Sequence, residues 1–140
     1  MISALRIHVD DPWSPAEFDH LTTEDAAHLF RRAGFGASMS ELTAATKLPV
    51  SEVVDNLLTT SVNAEFEQES QTMKGVIQAG NLPVHLPAWW IYRFMQSPAP
   101  AWEKLVLFWH GHFATSAAKV NSALLMLAQN ETIRRAAYGA

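Results

Sequence analysis

The residues best suited to chemistry stand together in Phe108-Trp109-His110-Gly111-His112-Phe113. Two imidazoles one residue apart can hold a transition metal such as zinc or iron, because neutral nitrogen donors suit these ions better than calcium or magnesium. The spacing sets a condition. On an α-helix, residues i and i+2 lie about 200° apart and face away from each other, whereas in an extended segment they point the same way. His110 and His112 share an ion only if the helix stops near Trp109, and Gly111 is the residue that permits such a change of direction. A protein metal site takes three or four ligands. Glu103, seven residues before His110 and on the same helical face, is the candidate to orient one imidazole or to join it as a ligand. His85, Gln129, Asn130 and Glu131 are further donors without a spacing that selects them.

Two other readings of the pair stand beside the metal one. In the first, both histidines are structural: Trp109 and Phe113 fill a core and each ring bonds a backbone carbonyl. In the second, an imidazole acts as a general acid or base. Nucleophilic catalysis has little support. Thr115 and Ser116 sit close by, but no Gly-x-Ser-x-Gly elbow surrounds them. Gly34-Phe35-Gly36 lacks the third glycine of a phosphate loop and follows a helical pattern, not a strand.

The elements that must position these groups read as helices. Thr22-Thr23-Glu24-Asp25 offers a hydroxyl cap and two carboxylates for a helix start. Ala26, Leu29, Phe30 and Ala33 then recur on one face until Gly34. Ser38 to Glu41 forms a capping box for a second helix ending near Lys47. Pro49 separates it from a third, Ser51 to Leu58, with Val50, Val53, Val54, Leu57 and Leu58 facing inward. Residues 62–82 are weakly periodic and read as a linker or a loosely held helix. Pro83 to Pro87 reads as extended, followed by an aromatic helix to about Gln96 that should be largely buried. A further helix runs from about Ala101 to Trp109. Lys119 to about Tyr138 is the longest helical run, with Val120, Leu124, Leu127 and Ala128 on one face and Arg134-Arg135 as a solvated end. Trp89, Trp90, Trp102 and Trp109 read as core. No β-alternation persists, so the fold class is all-α: an irregular bundle of about five to seven helices over residues 22–140, after an irregular lead-in over 1–21 with Trp13 and Phe18 as anchors.

Composition narrows the function. Of 140 residues, 49% are hydrophobic, enough for a packed core. The net charge is −4 with ten scattered Lys and Arg, which argues against nucleic acid as a partner. Without cysteine there is neither a disulfide framework nor a thiolate zinc site. No apolar run reaches the ~18 residues of a membrane span, and Met1 to Asp11 does not read as a secretory signal. The default compartment is the cytoplasm.

Several landmarks in order also resemble a known family. His28-Leu29-Phe30-Arg31-Arg32-Ala33-Gly34-Phe35-Gly36-Ala37, Trp89-Trp90, Glu103-Lys104-Leu105, the block Phe108 to Ser116, Lys119-Val120 and Gln129-Asn130 are similar to the motifs of the bacterial family called domain of unknown function 1800 (DUF1800). The resemblance covers roughly residues 22–140 and implies a helical fold without a settled activity. It implies longer relatives, with a later carboxylate-rich Asn-Glu-Asn and Ala-Arg-Glu region that would complete a His-x-His metal site. On that footing this chain resembles an N-terminal piece of such a protein. The family's gene neighbours imply an exported sulfatase-like partner and a secreted or cell-surface setting. Two functions follow as expectations: a metal-binding helical protein built on His110 and His112, or a non-catalytic interaction module whose aromatic helices pack on a partner or on that C-terminal region.

Overall fold

A computed structural model describes residues 19–113 and 115–139. The expected anchors Trp13 and Phe18 lie outside the described residues. Among the described residues eight α-helices follow one another: α1 Thr23–Ala33, α2 Met39–Ala45, α3 Val50–Leu58, α4 Ala64–Gly80, α5 Leu86–Gln96, α6 Pro100–His112, α7 Ala117–Val120 and α8 Ala123–Ala136. There is no strand among the described residues, only an isolated bridge between His20 and Pro49. The all-α reading holds.

The first two helices begin where their caps dictate, and the third begins after Pro49 without a side-chain cap. Thr22 Oγ1 accepts from the Asp25 amide while Asp25 reaches back to the Thr22 amide, and Ser38 and Glu41 repeat this exchange. Such a reciprocal pair satisfies two free amides at each helix start. Ala26, Leu42, Ala45, Val53 and Leu57 form the core of this trio. Leu58, expected inside, is half exposed.

Three expectations are corrected. Of the two readings of residues 62–82, the linker falls and the helix stands, because α4 spans 17 residues and is the longest helix described. Asn63 caps it through the Phe66 amide at 2.8 Å, and Asn81 closes it in the left-handed region at φ 47°. Its buried stripe is Phe66, Ser70, Lys74 and Ile77. Two polar residues inside that stripe hide the amphipathic period. Next, Pro83–His85 is a tight 3-10 turn leading into α5, not an extended segment. Finally, Lys119–Tyr138 is not one run: Asn121, also left-handed at φ 47°, divides α7 from α8. The buried face of α8 is Ala123, Met126, Leu127, Asn130 and Ile133, while Leu124 and Ala128 face outward.

Helix α6 is the hub. It packs on α1 and α3 on one side and on α5 and α8 on the other. Ile77, Trp89, Ala123 and Leu127 form a second core between α4, α5 and α8, and Val106, Ile133 and Ala137 a third between α6 and the end of α8. Gly34 lets the end of α1 approach the start of α6: a side chain there would meet the Pro100 Cβ at 3.1 Å and the Phe30 carbonyl at 3.2 Å.

Candidate functional site

Helix α6 does not stop at Trp109. It continues through Gly111 to His112, with Phe113 as its cap. The Phe113 amide donates to the Trp109 carbonyl at 3.0 Å, so the last turn is closed. The expected kink is therefore absent, and helical geometry turns the two imidazoles to different faces. His110 stands edge-on to Trp90, with ring centroids 4.6 Å apart. His112 is exposed and lies among Phe108, Trp109 and Phe113. Burial lowers the His110 pKa from its ordinary value, which favours the neutral ring.

Glu103 does not turn to either histidine. It is fully buried, and its Oε1 accepts from Arg93 Nε at 3.0 Å, from Arg93 Nη2 at 2.9 Å and from Arg134 Nη1. The other donors considered are engaged elsewhere. Glu131 pairs with Lys74, Asn130 Oδ1 accepts from Arg134 Nη2 at 3.2 Å, and Gln129 accepts from the Thr115 hydroxyl. His85 is exposed at the end of the 3-10 turn. Among the described residues no three His, Asp or Glu side chains come close enough to hold one ion.

What the fold does assemble is a buried polar node. Arg93 Nη1 donates to Ser70 Oγ at 2.7 Å, and Trp89 Nε1 donates to the same oxygen at 3.1 Å. Through Arg93, Glu103 and Arg134 the node ties α4, α5, α6 and α8 together. The Arg93 guanidinium also lies over the rings of Phe66 and Trp89, at 5.0 and 5.6 Å. Arg134 is thus a buried-pair partner and not the solvated helix end expected for it. The one sequence sign of this node is Arg93 itself, four residues after Trp89 on the buried stripe of an aromatic helix.

Trp89 is buried, Trp90, Trp102 and Trp109 are partly buried against the cores, and two of these three carry polar tethers. Trp102 Nε1 donates to the Arg134 carbonyl at 3.0 Å, and Trp109 Nε1 to the Ala137 carbonyl at 3.1 Å. Two concave surfaces border the second half of α6. An open groove of about 570 Å³ runs past Leu58, Leu105, Leu107, Phe108 and Tyr138, with Arg32 and Lys104 beside it. A smaller cavity of about 190 Å³ lies between α5, α6 and α8, beside Trp90 and His110.

The described residues form an all-α bundle pinned by a buried Arg–Glu–Arg node. Residues 28–140 match the model of the family described as Protein of unknown function (DUF1800), and the chain belongs to that family. No curated protein and no solved structure matches it. No described helix is long and apolar enough to cross a membrane.

Proposed function

We propose that this chain is a helical docking module whose groove along α6 receives an amphipathic helix. The observation that carries this reading is the exposed apolar end of α6. Phe108 is 58% exposed and lines the groove with Leu107 and Tyr138, both exposed, while Phe113, 59% exposed, lies outside the groove at the end of the same helix. Large rings gathered at one end of a helix and bordering a groove mark an interaction surface more often than a solvated one. Exposed Arg32 at the edge suits a partner helix with an acidic residue flanking its apolar stripe, while the Lys104 ammonium is held by the Arg31 and Gly34 carbonyls. Such a helix can belong to another part of the same polypeptide or to a second protein.

The test uses an apolar dye and sedimentation. The chain should bind the dye or self-associate, and a Leu107→Ser/Phe108→Ser variant should lose that behaviour with its helix content unchanged. A monodisperse chain that binds no dye would overturn the reading.

A metal at His110 and His112 is the weaker reading. It requires the last turn of α6 to unwind past Trp109 so that both rings turn to one ion, with carboxylates other than Glu103 completing the shell. Its test is the metal content of the purified protein against a His110→Ala/His112→Ala variant, where equal content would end it.

A further inference from the structure

Helix α5 turns a row of aliphatic side chains to the outside. Val84 is 74%, Ile91 53% and Met95 72% exposed, and Ala88 is exposed between them. Ala88, Ile91 and Met95 recur at helix spacing on the side of α5 opposite the buried Trp89 and Arg93, and Val84 precedes Ala88 by four residues. Beside Ala88 a hollow of about 240 Å³ opens between α4 and α5, bordered by Met73, Val76 and Ile77. Single exposed apolar residues are ordinary, but a row of them along a hollow marks a contact surface.

The face carries no charge. From Gly75 to Trp102 the only Asp, Glu, Lys or Arg is Arg93, and it is buried. The whole chain has a net charge of −4, so two copies repel in general and can meet on this side without bringing like charges together. The row also holds no aromatic ring and no arginine, the residues that anchor contacts between different proteins, whereas interfaces between identical subunits are the more apolar class.

The row is complementary to itself. Turned about a two-fold axis between Ala88 and Ile91, it sets Val84 against Met95 of a second copy and Ala88 against Ile91. Each Ile91 then enters the hollow beside the other copy's Ala88, and the contact is made twice. Such closed two-fold pairing is the commonest arrangement of soluble oligomers. Only Val76, Val84, Ile91 and Met95 contribute large exposed groups, which places the contact near or below the ~1,200 Å² of the smaller, reversible interfaces.

We propose that α5 pairs with α5 of a second copy, antiparallel across a two-fold axis, in a reversible homodimer. The groove along α6 draws on other residues, so the dimer presents two of them.

Sedimentation equilibrium of the intact chain, from micromolar to about 1 mM, should show monomer and dimer in exchange. Ile91→Glu should weaken the dimer at least about tenfold, because its carboxylate would be buried without a partner. The register has its own test. The chain has no cysteine, so Val84→Cys and Met95→Cys each place one thiol on an exposed site. Mixed and oxidised, the two variants should join to each other. Either alone should not, because its two copies lie about 16 Å apart along the helix axis, beyond the reach of a disulfide. A chain monomeric to about 1 mM, a dimer that Ile91→Glu leaves intact, or like-with-like disulfides forming as fast as mixed ones would each overturn the proposal. So would a monomer that floats with phosphatidylcholine vesicles and ceases to with Ile91→Glu, which would give the face to lipid. Leu107→Ser/Phe108→Ser should leave the mixed disulfide unchanged while removing dye binding and any association beyond the dimer, so this inference and the docking groove fail separately.

Discussion

Replacing Glu103 by alanine removes the one acceptor shared by Arg93 and Arg134. Glu103 is fully buried and Arg93 is 4% exposed, so Arg93 cannot recover water without repacking. It keeps Ser70 and two aromatic faces, which hydrogen-bond or polarise but do not neutralise it. Arg134 stands nearer the surface and can swing outward. One guanidinium is therefore left buried and unpaired, a change that costs about 3–5 kcal/mol. A chain of 140 residues unfolds with an entropy of about 0.3 kcal/mol/K, so the midpoint should fall by about 10–17 °C. Glu103→Gln keeps the shape and one acceptor oxygen but loses the charge, and should lose about half as much, since charge-assisted bonds are roughly twice as strong as neutral ones. Urea unfolding followed by tryptophan fluorescence, with thermal circular dichroism beside it, measures both. A Glu103→Ala protein within about 1 kcal/mol of the parent would refute the reasoning, as would a variant whose stability holds while its metal content changes.

Three further outcomes are expected. Gly111 lies within α6 with open space where a side chain would go, so Gly111→Ala should raise stability by about 0.5–1 kcal/mol; a loss in urea unfolding would mean that the segment needs a non-helical conformation. Because burial holds the His110 pKa below 6.5, the unfolded chain binds that proton more readily. The fold's advantage is full above pH 6.5 and declines as the pH falls toward the folded value. His110→Gln should then lose less midpoint than the parent on acidification from pH 7.5 to 5.5, and parallel losses would contradict this. The Tyr92 hydroxyl donates to Glu69, which pushes its pKa up to about 12. Its contribution to stability is full below pH 10 and is lost as the pH rises through about 12. Phenolate absorbance should show Tyr92 ionising late and Glu69→Gln bringing it down toward 10, and an unchanged midpoint in the variant would exclude the carboxylate as cause.

Local chemistry was legible in the sequence, and long-range pairing was not. The caps at Thr22 and Ser38, the break at Pro49 and the end of α1 at Gly34 depend on neighbours within four residues, and the chain folds as they dictate. Helix α4 was hidden because Ser70 and Lys74 occupy its buried stripe, and a polar residue counts as an outward position until its partner is known. Those partners, Arg93 and Glu131, lie 23 and 57 residues away. Glu103 looked like a helper for a histidine two turns along its own helix. Its real partners come from α5 and α8, 10 and 31 residues distant. Gly111 misled in the opposite sense. Glycine permits a break without requiring one, and hydrogen bonding through the last turn of α6 outweighs its weak helical preference.

The groove along α6 has a mechanical consequence. Arg32 and Ala33 reach it from α1, Leu58 from α3, Phe108 from α6 and Tyr138 from just beyond α8. It therefore lies across the seam between the α1–α3 lobe and the α4–α8 lobe, whose cores are separate. With the seam empty, the contacts of α1 and α3 with α6 and the stacking of Phe35 on Phe94 join the lobes, and amide exchange in α1–α3 can outpace that in the larger lobe. A helix seated there would staple the halves, and their exchange rates would converge.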